Sequence, residues 1–101
     1  MAIDPIKQRR EFLRWVMLLG LYNAAPVGAW EEVLLSIAQG VYTDSSQHEV
    51  RLVLDYLSDR ELIKLEKKPD GRWFCDLTRH GTDVVEYTVC VDPGIARPPK
   101  L

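Results

Sequence analysis

A chain of 101 residues accommodates one domain with a single hydrophobic core. Its longest apolar run, residues 15–19, is far shorter than the ~20 residues that span a bilayer, which argues against a membrane protein. No secretion signal is recognisable, so we expect a protein of the cytoplasm of a bacterial host cell. The net charge of −2 runs against the basic surplus that nucleic-acid-binding proteins usually carry.

The first predicted helix begins at Asp4, which caps it, and at Pro5, whose missing N–H costs nothing in the first turn. It extends to about Tyr22, and its core positions are Phe12, Trp15, Val16 and Leu19. Further apolar residues broaden this surface beyond one stripe, and a helix of that kind is either deeply buried or packed against another chain. We therefore expect a homodimer whose interface contains Leu13, Met17, Leu18 and Leu21.

The second predicted helix follows a loop, residues 23–28, that is interrupted by Pro26 and Gly28. It is expected from about Ala29 to Gln39, with Gly40 as its C-terminal stop. Its apolar face would contain Trp30, Val33, Leu34, Ile37 and Val41. The five residues 41–45 that come next have a length suited to a helix-turn-helix link.

The third predicted helix opens with a capping box. The Ser46 hydroxyl is expected to accept the N–H of Glu49, and the Glu49 carboxylate to accept the N–H of Ser46. Apolar residues then recur with the spacing of one buried helix face: Val50, Val53, Leu54 and Leu57. The helix is expected to end near Arg60.

A β-hairpin is predicted next, with a type I turn at residues 68–71. Alternation places Ile63 and Leu65 on the inner face of the first strand, and Trp73, Cys75 and Leu77 on that of the second. Thr78 is expected to cap a short fourth helix, while residues 84–91 are compatible with its continuation or with a strand. The domain would span residues 1–91. Residues 92–101 read as an extended, proline-rich tail that is either an interaction arm or a frayed terminus.

These elements predict an α+β fold, a winged helix-turn-helix: a three-helix core, a two-stranded hairpin wing, a short C-terminal helix and an extended tail. Leu54-x-x-Leu57, Leu62-Ile63, the hairpin and Leu77-Thr78-x-x-Gly81 resemble, in that order, winged helix-turn-helix domains of the ArsR-like and PadR-like kind. Residues 77–87 and 93–100 are similar to small regulator-like proteins of Mu-type bacteriophages, which implies a phage or prophage origin.

Two departures from the resembled domains concern the helix end and metal binding. Such domains commonly carry Gly where this chain has Glu61, and a left-handed Glu there would cost about 1–2 kcal/mol. The recognition helix lacks the thiol pair of the metal-sensing ArsR-like branch. Metal sensing is therefore not implied, and the sequence indicates no catalytic set, no metal site and no cofactor.

The predicted partner is duplex DNA, since recognition helices read bases through their N-terminal residues and wings contact the backbone. The candidate contacts are Ser45, Ser46, Gln47, His48 and Arg51 in the recognition helix and Lys67, Lys68 and Arg72 in the wing. Residues 41–60 hold two bases and four acids, a net charge of −2 that favours the alternative of an ordinary solvated helix. The rival function is a protein-interaction module in phage assembly or packaging, with another phage protein as its partner.

Overall fold

The computed structural model of the chain describes residues 4–100, which form four helices and one three-stranded sheet. In chain order the elements are α1 (Pro5–Ala24), β1 (Ala29–Trp30), α2 (Glu31–Val41), α3 (Gln47–Asp59), β2 (Ile63–Lys67), β3 (Trp73–Leu77) and α4 (Arg79–Val85). The sheet is antiparallel with the order β1–β3–β2. Among the described residues, no helix is both long and apolar enough to cross a membrane. The outermost residues of the predicted domain and tail, 1–3 and 101, lie outside the described range.

Helix α1 begins as predicted, with the Asp4 carboxylate accepting the N–H of Ile6 at 3.0 Å. The dimer interface predicted on this helix is wrong, because its four side chains are fully buried within one chain: Leu13, Met17, Leu18 and Leu21. They are covered because α1 contacts α2, α3, α4 and β3, so a helix that is apolar on two sides packs inside its own domain. These residues belong to the core.

The second helix begins two residues later than predicted, because Ala29 and Trp30 form an additional strand. Ala29 pairs with Cys75 and Trp30 with Phe74, and the Trp30 and Phe74 rings meet edge to face at 5.0 Å. The buried face of α2 matches the predicted one only in part, through Leu34 and the partly buried Ile37. Leu34 and Ala38 are buried together with Glu31, whereas two of the predicted core residues are largely exposed, Val33 (52%) and Val41 (42%).

Helix α3 has the predicted core and ends in a Schellman motif. The N–H of Leu62 donates to the carbonyl of Leu57 at 3.0 Å, and that of Glu61 to the carbonyl of Ser58 at 2.9 Å. Glu61 has a φ of 61°, so it occupies the left-handed region that the resembled domains fill with Gly. The chain thus keeps the geometry of this helix end and accepts its conformational strain.

Replacing Glu61 with Gly is expected to raise the free energy of unfolding by about 1 kcal/mol, because Gly adopts a positive φ without strain. Chemical denaturation in urea measures the change. Glu61→Ala is the matched control: it also removes the exposed carboxylate but keeps the Cβ, and we expect no gain from it. Equal gains from both variants would assign the effect to charge and contradict the prediction.

The hairpin has the predicted turn and the predicted alternation of its strands. The N–H of Gly71 donates to the carbonyl of Lys68 at 3.0 Å, and Gly71 has the positive φ of 90° that the turn requires. Ile63 and Cys75 are buried under the sheet, as the alternation indicated. At the end of β3 the Thr78 hydroxyl accepts the N–H of Gly81 at 3.1 Å and caps α4. Residues 86–91 form turns and irregular structure, so the strand alternative is wrong.

The proline-rich segment packs on the domain, unlike either predicted form of the tail. Ile95 is only 8% exposed, and the N–H of Ala96 donates to the carbonyl of Glu11 in α1 at 3.1 Å. One Arg14 guanidinium nitrogen donates to the carbonyl of Gly94 at 2.8 Å. The Arg97 guanidinium binds carbonyls at the end of α4 and beyond it. In residues 92–98 the chain therefore lies against its own helices.

Candidate nucleic-acid interface

Three of the predicted recognition residues lie on the surface at the N-terminal end of α3. Ser46, Gln47 and His48 are all exposed, and the Ser46 hydroxyl accepts the N–H of Glu49 at 3.2 Å. The cap thus leaves the hydroxyl hydrogen of Ser46 able to donate. Together with the Gln47 amide and the His48 ring, it forms a short polar surface at the end of the helix that winged domains insert into DNA.

Ser45 does not belong to this surface. It is only 4% exposed, and its hydroxyl donates to the carbonyl of Tyr42 at 2.8 Å. The hydrogen bond closes the link between α2 and α3 and directs the side chain inward. The prediction of Ser45 as a DNA contact is therefore wrong.

Arg51 is exposed only in part and is held by three structural elements. Its guanidinium binds both carboxylate oxygens of Glu31 in α2, at 2.7 and 2.6 Å. It also donates to the carbonyl of Gly71 in the hairpin turn at 2.6 Å, and it stacks over the Trp73 ring at 4.6 Å. These contacts hold the hairpin against α2 and α3. They also occupy the guanidinium N–H groups that would bind a base, so Arg51 does not present a free guanidinium. Its assignment as a base-reading residue is wrong in this structure.

Glu31 is the centre of this contact, and the sequence reasoning missed it. Its side chain is 3% exposed, and it accepts a further hydrogen bond from the Gln47 amide at 3.3 Å. The paired hydrogen bonds of Arg51 hold the pKa of the Glu31 carboxyl below its usual range, against the opposing effect of burial. One signal was available: Glu31 shares a helix face with Leu34 and Ala38, and a carboxylate on a buried face requires a cation.

The capping box at the start of α3 is only half formed, because Glu49 binds elsewhere. Its two carboxylate oxygens accept from Arg9 of α1 at 2.9 and 2.8 Å, and a third Arg9 nitrogen lies 2.8 Å from Asp44. These carboxylates raise the pKa of the Arg9 guanidinium above its usual value. A single arginine therefore pairs with both acidic side chains nearest the N-terminal end of α3, and it offsets one of their two negative charges.

The three predicted wing contacts lie at the surface, and each is paired with a carboxylate of the same chain. Lys67 lies 3.4 Å from Asp55. Lys68 lies 2.6 Å from Glu66. Arg72 binds both oxygens of Glu32 at 3.1 Å and stacks over the Trp30 ring at 4.0 Å. The hairpin thus presents cations, but its surface is close to neutral.

Comparisons with solved structures identify the fold. A candidate DNA-binding protein from Ralstonia eutropha JMP134 is similar with a TM-score of 0.65 and 22% identity, over 86% of this chain and 98% of that one. The fold is a winged helix. MepR of Staphylococcus aureus in complex with DNA is similar with a TM-score of 0.64 and 19% identity, over 80% of this chain. MepR, described as a transcription regulator of the multidrug efflux pump MepA, is also similar in a second structure, with a TM-score of 0.62 and 20% identity over 81% of this chain.

The winged-helix domain spans 64% of the MepR chain in both structures, so MepR contains additional structure. No family model matches the chain, and no curated protein does. At identities of about one residue in five, these likenesses establish the shared architecture. The function of this chain depends on the side chains that its own surface presents.

Two features of the described residues bear on chemical activity: the grouping of metal-ligating side chains and the state of the thiols. Residues 4–100 hold no group of three His, Cys, Asp or Glu side chains that could bind a metal ion. Both cysteines are free thiols, and burial raises the pKa of the Cys75 thiol to about 12, so this thiol stays protonated and unreactive at neutral pH.

Proposed function

We propose that the chain is a winged-helix DNA-binding protein that acts as a transcription regulator. The observation that carries the proposal is the exposure of Ser46, Gln47 and His48 at the N-terminal end of α3, beside a hairpin that presents Lys67, Lys68 and Arg72. In the proposed complex α3 lies in the major groove, and the hairpin contacts the adjacent backbone. The folds of the Ralstonia protein and of MepR, one structure of which contains DNA, support the same reading.

The ion pairs of the hairpin are compatible with this role because they are exposed. Lys67, Lys68 and Arg72 retain side-chain exposures of 56%, 38% and 46%. Exposed ion pairs contribute only about 0–1 kcal/mol each, so a phosphate can replace the carboxylate partner at small cost. Arg51 differs, because its Glu31 partner is buried, and we assign it no part in reading DNA.

We retain a homodimer and a bacteriophage origin as parts of the proposal. A recognition helix reads one half-site, and dimers of such domains read two half-sites related by symmetry. The interface must lie away from the buried residues of α1, and the exposed Val33 and Val41 of α2 provide apolar surface for it. The phage origin rests on the resemblance of residues 77–87 and 93–100 to small proteins of Mu-type phages.

The test is binding to duplex DNA selected from a random-sequence pool, measured by fluorescence anisotropy over a range of salt concentrations. We expect Lys67→Ala with Lys68→Ala to weaken binding to selected and unrelated duplexes alike, and to reduce the salt slope by about 1–2. Gln47→Ala with His48→Ala should weaken binding to the selected duplex more than to an unrelated one. No binding to any duplex at low salt would overturn the proposal.

A protein-interaction module, in phage assembly or packaging, is the second candidate. It is favoured by the observation that each of the three predicted wing contacts already has a carboxylate partner in the chain, which lowers the attraction for phosphate. This function predicts that the protein leaves DNA unbound at low salt. Another phage protein, co-purified from infected cells, would then be its partner.

A further inference from the structure

Two cations of α1 differ from those of the wing. Lys7 and Arg10 are exposed, and within residues 4–100 neither lies within 4 Å of a carboxylate oxygen, the distance of an ion pair. The wing cations Lys67, Lys68 and Arg72 all have such a partner. Lys64 of β2 also has no such partner among the described residues, but it lines a different groove with Asp76 and Thr78, so the unpaired cation that borders the N-terminal end of α3 lies on α1.

Arg10 borders a groove that α1 shares with the N-terminal end of α3. This α1–α3 groove has a volume of about 330 Å³, and Ile6 and Arg10 on one side face Ser46 and His48 on the other. Lys7 lies on the outer side of Arg10, where both residues line a neighbouring groove. Arg10, Ser46 and His48 can each donate to a phosphate oxygen there, and the exposed carboxylate of Asp44 lines the same groove.

The acidic residues of the α1–α3 groove already have an ion-pair partner. They are Asp44 and Glu49, and both bind Arg9 at 2.8 Å. Asp4 and Glu11 lie in the neighbouring groove, beyond Arg10, and the Asp4 carboxylate is occupied in capping α1. Arg9 offsets one of the two charges of Asp44 and Glu49 and Arg10 balances the other, but Arg10 itself makes no direct ion pair within the described residues and its guanidinium remains available to a phosphate.

The position of the groove suits one strand of duplex DNA. The N-terminal half of α3 lies between α1, which it contacts through Glu49 and Arg9, and the hairpin, which it contacts through Arg51 and Gly71. A helix in the major groove, about 12 Å wide, has a phosphate backbone on each side. The hairpin lies on the side of one backbone, and the α1–α3 groove lies on the side of the other.

We propose that the α1–α3 groove binds a backbone phosphate of duplex DNA, on the strand opposite to the one that the wing contacts. Arg10 supplies the charge, Ser46 and His48 donate hydrogen bonds, and Lys7 adds attraction at the edge. The inference rests on the proposed function and adds a second backbone contact to it. Because a phosphate contact carries no base information, the site contributes equally to all sequences.

The experiment measures the affinity of the full chain for the selected duplex and for an unrelated one at several salt concentrations. We expect Arg10→Ala to weaken both complexes about three- to tenfold near 0.1 M salt and to reduce the salt slope by about 1. Arg10→Lys keeps the charge and should restore most of the slope. Lys100→Ala removes another exposed cation at the far end of the chain and is the matched control, for which we expect no change.

The outcomes separate this inference from the function on which it rests. Equal effects of Arg10→Ala and Lys100→Ala, with tight binding by the wild type, would overturn the groove and leave the DNA-binding proposal intact. A wild type that binds no duplex at low salt would overturn both. Circular dichroism of each variant verifies the fold, which an exposed side chain such as Arg10 should not affect.

Discussion

Replacing Gly81 with alanine is expected to lower the free energy of unfolding by about 3 kcal/mol, the upper end of the usual cost of overpacking. Gly81 lies in the first turn of α4 and is buried. A Cβ at this position would overlap the carbonyl oxygen of Leu62 and lie 2.7 Å from a methyl group of Leu77. The Leu62 carbonyl cannot easily move away, because it is backbone at the start of the sheet and accepts the N–H of Thr78 at 3.1 Å.

Gly40→Ala is the control for this substitution. Gly40 also lies in a helix, but an added Cβ there would meet nothing within 4 Å, so alanine should stabilise α2 by up to about 1 kcal/mol through its higher helix propensity. Urea denaturation of the two variants gives the comparison. A loss of less than about 1 kcal/mol at position 81 would mean that α4 can move away from the sheet, against the prediction of overpacking.

Gly81 also illustrates what the sequence could reveal. The pattern Leu77-Thr78-x-x-Gly81 predicted the cap and the start of α4, because a cap depends on residues that are close in sequence. The turn at residues 68–71, the α1 start and the α3 core were predicted for the same reason. The order of these local elements was sufficient to indicate a winged helix.

The parts that the sequence did not reveal depend on distant residues. Strand β1 has two residues, and it exists because Ala29 and Trp30 meet β3, more than 40 positions later in the chain. The docking of residues 92–98 likewise depends on carbonyls and side chains of α1 and α4. Neither arrangement leaves a periodic signal in the local sequence.

The sequence predicted which charged residues belong to the candidate site, but it did not predict their ion-pair partners. The charge count of residues 41–60 was correct, yet it did not reveal that Arg9 reaches from α1 to Glu49 or that Arg72 reaches α2. The breadth of the apolar surface of α1 was also correct as an observation. It could not distinguish a helix covered by its own chain from one covered by a second copy, because both bury the same residues.

Replacing Glu31 with glutamine is expected to lower the free energy of unfolding by about 2 kcal/mol. Both oxygens of Glu31 accept from Arg51, and one of them also accepts from Gln47; in glutamine one oxygen becomes an amide group that donates, so donors face a donor in a buried position. Arg51 remains partly exposed, and water reduces the penalty below the about 3–5 kcal/mol of a fully buried broken pair. Thermal and urea denaturation measure the loss.

The pH dependence of the same variant provides an independent check. Because Arg51 lowers the folded-state pKa of Glu31, this carboxylate contributes its full stabilisation above the unfolded-state pKa of about 4.3. The contribution is lost as the pH falls through the folded-state value. We therefore expect the stability difference between wild type and Glu31→Gln to be largest near neutral pH and to shrink below about pH 4.

Glu32→Gln is the matched control, since it makes the same change one residue later and also removes a carboxylate that binds an arginine through both oxygens. Glu32 is exposed, so its loss should leave the unfolding midpoint nearly unchanged. If the two variants were equally stable, burial would not distinguish the pairs, and Arg51 would be as free as Arg72 to exchange its partner for a phosphate. If Glu31→Gln is the less stable variant, the two pairs have different roles: the Glu31–Arg51 pair holds the hairpin in place, and the Glu32–Arg72 pair can open so that Arg72 binds a phosphate.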